Sequence, residues 1–90
     1  MRPKRRGPTV PGAPRSVVAS ESFPISWEPP SSNGGSQITG YRVYVNGSLF
    51  ETVGAPSTDT VDTVGAGSVV EVSAINVIGE GRKSPPVIAA

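Results

Sequence analysis

From Ser16 onward the apolar residues recur at every second position, and this period constrains the fold more than any other feature of the chain. Phe23, Ile25 and Trp27 alternate with Pro24 and Ser26. Tyr41, Val43 and Val45 alternate with Arg42 and Tyr44, and Val70, Val72 and Ala74 alternate with Glu71 and Ser73. In an extended chain successive side chains point to opposite faces, so each set presents one apolar face to a core and one polar face outward. No window shows the i, i+3, i+4, i+7 spacing of a helix. The intervening stretches EPPSSNGGSQ, VNGS, VGAPST, VGAGS and IGEGRKSPP are turn material, and the chain carries 11 glycines and 10 prolines. About seven short strands at this spacing predict an all-β, seven-stranded antiparallel sandwich with Phe23, Ile25, Trp27, Tyr41, Val43, Val70, Val72 and Ala74 in its core. Asn46-Gly47, between YRVYV and SLFETV, is the sharpest hairpin signal, since both residues accept the positive φ of a type I′ turn. Pro24 has no backbone donor, so it should face away from the neighbouring strand or mark a bulge.

The first fourteen residues, MRPKRRGPTVPGAP, behave differently. Four prolines and two glycines preclude a helix or a central strand, so residues 1–13 are expected to form an extended arm ahead of a domain at 14–90. No apolar run follows the basic start, so the arm does not read as a secretory signal. No stretch of eighteen apolar residues occurs, so no membrane insertion is expected. The formal net charge of +1 conceals an asymmetry. Residues 1–15 hold five bases and no acid, whereas residues 16–90 hold three bases against seven acids. A basic arm is thus attached to a mildly acidic body.

Several segments resemble the fibronectin type III domain. PGAPRSVVA looks like that family's proline-led first strand, and ISWEPP looks like its second strand with the core tryptophan, here Trp27. NGGSQITGYRVYV is similar to its loop and third strand, and VVEVSAINVIGEGRKSPP to its sixth strand, glycine-rich loop and last strand. The match runs from about Val10 to Ile88 and implies an immunoglobulin-like sandwich. Two features depart from the pattern. Ser68 stands six residues before Ala74, where the family usually has a tyrosine that pins a corner. The first connection is also short, with only Ser20, Glu21 and Ser22 between Ala19 and Phe23.

The chain contains no cysteine and no histidine, which removes disulfides, thiol nucleophiles and the usual neutral-pH base. Its seven carboxylates are scattered singly, so no enzyme, no cofactor and no metal site are expected. Asp59 and Asp62 are three apart and would point to opposite faces of a strand. Gly79-Glu80-Gly81 lacks the lysine and helix of a phosphate loop and reads as a tight turn. Asn46-Gly47-Ser48 matches the glycosylation pattern, but a tight hairpin argues against its use. The family's Arg-Gly-Asp tripeptide is absent.

What remains is a docking function for the arm bases Arg2, Lys4, Arg5 and Arg6. In an antiparallel sandwich the turns after the second and sixth strands lie at the pole where the first strand begins. Arg82 and Lys83 should therefore join the arm at one basic end, while Arg42 and Tyr44 form a second patch on an outer sheet face. The expected partner is an acidic protein surface, such as an assembly or a capsid. Nucleic acid is disfavoured because the body offers no basic groove or stacking platform, and weak glycan binding by the loops is a further expectation. Treated as a free-standing domain without a signal peptide, the chain suggests a non-enzymatic accessory protein decorating a bacteriophage capsid, with the virion surface as its location. The alternative is an adhesive or spacer repeat from a multidomain extracellular receptor or secreted bacterial enzyme.

Overall fold

The computed structural model describes residues 7–90. Six strands occur among them: β1 (Arg15–Val18), β2 (Ser26–Glu28), β3 (Gly40–Val45), β4 (Ser48–Gly54), β5 (Val69–Ile75) and β6 (Val87–Ile88). They form two sheets, one with the order β4-β3-β5-β6 and one pairing β1 with β2, and every pairing is antiparallel. A segment around Asp59 takes the place of the seventh strand. It is attached to β2 by one bridge, Ser26 to Asp59, with Trp27 N donating to Thr58 O (3.0 Å) and Thr60 N to Ile25 O (2.9 Å).

The alternation of valines and aromatics sets the register of the large sheet. Tyr41 lies opposite Ala74, Val43 opposite Val72 and Val45 opposite Val70, which puts all six on the inner face. Asn46 and Gly47 close the β3–β4 hairpin at φ 52° and 84°, both positive as a type I′ turn demands. The β3–β4 register then shifts between Val43 and Tyr44, leaving Phe50 as the extra residue of a bulge. The β1–β2 register also shifts, between Arg15 and Val18. Ser16, in that interval, takes a φ of 53°.

Ile25, Trp27, Tyr41, Val43, Val70, Val72 and Ala74 are buried, joined by Ala19, Val64 and Ala89. Trp27 carries the small sheet onto the large one, its ring 5.4 Å from that of Tyr41 and tilted by 60°. Phe23 is a correction: it is 70% exposed rather than part of the core. The alternation does not extend back through Pro24, because residues 20–23 form a turn in which Ser20 Oγ accepts from the N–H groups of Ser22 and Phe23. Pro24 precedes β2 and interrupts no ladder.

The missing tyrosine corner is replaced by backbone bonds. Ser68 N donates to Gly65 O, Gly67 N to Ala89 O and Ala89 N to Ser68 O, at 2.8–3.1 Å. Ala90 N in turn donates to Ala19 O, and Glu21 N to Ala90 O, so the end of β6 closes onto the end of β1.

Candidate functional site

Residues 9–12 lie as a strap across two loops. Thr9 N donates to Gly34 O (2.8 Å) and Gly12 N to Ser32 O (3.0 Å), tying the strap to the loop after β2. The buried Asn76, just past β5, holds the same assembly from the other side. Its Nδ2 donates to Thr9 O (2.8 Å) and Asn33 O (2.9 Å), while its Oδ1 accepts from Ile78 N and Gly79 N. One buried amide therefore uses both its donors and its acceptor on backbone groups of three segments. The strap presses close on two glycines. A Cβ on Gly34 would sit 2.2 Å from Thr9 O, and one on Gly81 would sit 2.0 Å from Pro11 O.

This arrangement gathers the loops after β2 and β5 with the start of β1, as the antiparallel topology predicts. Hydrogen bonding reaches back to Thr9, five positions ahead of the domain boundary expected at residue 14. Arg82 is exposed here and borders a hollow of about 400 Å³ whose other walls include Val10, Pro11 and Ser32. The arm bases Arg2, Lys4, Arg5 and Arg6 lie outside the described residues. Lys83 does not share the hollow with Arg82. Its Nζ sits 4.0 Å from the centre of the Tyr44 ring, on the outer face of the large sheet.

That outer face carries the second group of residues singled out from the sequence. Arg42 and Tyr44 both bind Glu80, which no sequence signal had marked. Arg42 Nη1 donates to Glu80 Oε1 at 2.7 Å, while Tyr44 OH and Ser73 Oγ both donate to Glu80 Oε2, the latter at 2.5 Å. Arg42 and Tyr44 are thus engaged inside the domain, holding the segment after β5 against the sheet. Burial pushes the Glu80 carboxyl up, but hydrogen bonds from Ser73, Tyr44 and Arg42 and the guanidinium charge outweigh it. The carboxyl sits below its ordinary value. The hydrogen bond to Glu80, then burial, raise the Tyr44 hydroxyl, and the same carboxylate raises Arg42 further. All three groups keep their usual charge state near neutrality.

Sequence reasoning missed Glu80, Ser73 and Asn76. Ser73 occupies an outward phase where a polar residue is expected, Glu80 lies in turn material and Asn76 just ahead of it, so only the register of β3 against β5 and the course of the loops reveal their roles.

The fibronectin type III domain family matches residues 11–90. A fibronectin type-III domain-containing protein 3a of Gallus gallus is 33% identical over 88 residues, covering 86% of this chain. The chain spans 7% of that protein's length. Among solved structures, a crystal structure of titin domains A168–A170 superposes with a TM-score of 0.65 at 26% identity, over 92% of this chain and 34% of that one. The central fibronectin-III array of RIM-binding protein gives 0.64 at 27%, over 81% and 32%. With its Trp27-centred sandwich and a match over residues 11–90, the chain belongs to the fibronectin type III domain family.

Proposed function

We propose that this domain is a protein-interaction module that docks by its N-terminal end. Fibronectin type III domains are interaction and structural modules common in multidomain proteins, and the strap at the N-terminal end supports contact at that end. The observation that carries the reading is the triple anchorage by Asn76, which fixes residues 9–12 over two loops beside Arg82. Arg2, Lys4, Arg5 and Arg6 precede this strap in the sequence, so their charge joins the chain at the same end as Arg82. An acidic protein surface is the matching partner, with affinity that falls as salt screens the charges.

This chain matches about a third or less of the length of each relative reported above, which favours a module working within or alongside a multidomain assembly. The virion setting expected from the sequence rests on analogy of fold alone. Amide chemical shifts of the dilute protein, titrated with poly-L-glutamate at low salt, test the docking end. Shifts should concentrate at residues 9–12, 32–34 and 79–82, and should fade when residues 1–6 are removed. Shifts centred instead on the β1–β2 sheet would overturn the reading.

A further inference from the structure

The two ends of the sandwich differ in a complementary way. At the end opposite the strap, the turn before β2 holds Phe23 outward with 70% of its surface exposed. The ring stands on an ordered support, since Ser20 Oγ accepts from Ser22 N (3.1 Å) and Phe23 N (3.0 Å) and Glu21 N is bonded to Ala90 O (3.1 Å). The bond from Thr60 N to Ile25 O carries the neighbouring segment to the same end, with Val61 86% exposed and Asp62 following it. This end therefore shows an apolar knob accompanied by the carboxylates of Glu21 and Asp62. The three bases of residues 16–90 are placed elsewhere than beside Phe23. Arg42 is committed to Glu80, Lys83 lies over Tyr44, and Arg82 is at the strap. The strapped end shows the converse: a hollow of about 400 Å³ with apolar walls at Val10 and Pro11 and with Arg82 at its border.

We infer that these are the two halves of one contact between copies of this chain. Phe23 of one copy enters the hollow of the next, and Glu21 and Asp62 face Arg82 there. A second copy is the occupant because shape and charge at one end answer those at the other. An isolated aromatic projected into water gains most by entering a pocket that excludes solvent, and the charges around it set the direction of approach. The two surfaces are different patches of the same molecule, so the contact is head-to-tail and leaves a free knob and a free hollow on every complex. It propagates as an open line and does not close as a dimer. The inference rests on the strapped end being the docking end.

Sedimentation equilibrium of the full chain at low salt tests it. The weight-average mass should climb with concentration past the dimer value and fall back toward monomer in about 0.5 M salt, where charges are screened beyond a few ångströms. Phe23→Ser and Arg82→Glu should each weaken association by about tenfold or more, the usual effect of removing a central aromatic or an interface arginine. Both positions are exposed, and circular dichroism of each variant should match the parent. Mixing the two variants is decisive. F23S retains an intact hollow and R82E an intact knob, so a one-to-one mixture should form a single dimer and stop. A parent chain that stays monomeric, a parent that stops at dimer, or a mixture that stays monomeric overturns the inference. If poly-L-glutamate still shifts the strapped end of a chain that does not self-associate, the docking end stands and only the self-contact fails.

Discussion

The two sheets of this domain are held together by different means. In the large sheet β3 is laddered on both sides, with six consecutive residue pairs to β5 and six to β4 across one bulge. The small sheet has two pairs between β1 and β2, an irregular register between them, and a single bridge to the segment at Asp59. Its attachment depends on side chains, chiefly Ile25 and Trp27, which reach across to Tyr41 and the valines of the large sheet. A backbone ladder is cooperative along its length, whereas a sheet held chiefly by two side chains and a few backbone bonds at the end of β1 opens more readily. The large sheet is the frame, and the small sheet is a cover fastened from inside.

Ile25→Ala breaks this contrast most sharply. Truncating a fully buried isoleucine should cost about 3 kcal/mol. Amide exchange should quicken in residues 15–28 and 58–60 well before β3 and β5. Uniform loss of protection would mean that the sheets open together and that the contrast is only geometric.

Gly81→Ala tests the fastening of the strap to the frame. The added Cβ would meet Pro11 O at 2.0 Å, and relieving that overlap should cost about 2 kcal/mol. The Thr9 and Gly12 amides should lose protection while the core ladder keeps it.

Glu80→Gln addresses the clamp on the outer face of the frame and should cost about 1 kcal/mol, since solvent reaches part of the ion pair. Its signature is the pH dependence. A carboxyl lowered in the folded state stabilises fully above its unfolded value of about 4.3, and that contribution is lost as the pH falls through the lower folded value. Thermal melts of the parent should therefore lose this contribution as the pH falls below about 4.3, and the difference from E80Q should narrow there. A constant difference between the two proteins down to pH 2 would show that the charge of Glu80 carries no stability.

Phe23→Ser has the smallest expected effect, within about 0.5 kcal/mol, because the ring is already in water. A loss comparable to that of Ile25→Ala in a melt would return Phe23 to the core.

Ile25, Trp27, Tyr41, Val43, Val70, Val72 and Ala74 could be placed inside from the alternation alone, because the pleat assigns faces by position within a strand. Asn46-Gly47 was equally readable, since its conformation depends on those two residues. Phe23 shows where the rule ends: two apolar residues in the right phase do not continue a strand through a proline, and a serine hydroxyl two or three positions away captures the amides instead. Lys83 and Arg82 show a second limit. Adjacent in sequence and alike in charge, they serve different surfaces, because neighbouring side chains on an extended segment diverge.

The sequence by itself determined the sandwich, most of its core and the separation of a basic start from an acidic body. Each of these follows from local periodicity or from simple counting of charges. Only the tertiary structure decided that Asn76 reaches across 67 positions to Thr9 and that Arg42 reaches across 38 to Glu80. Such pairings depend on strand register and loop course, which are set by packing of the whole chain. The charge asymmetry therefore acquired its ends, a strap with Arg82 at one and an exposed Phe23 among acids at the other, only once the chain had folded.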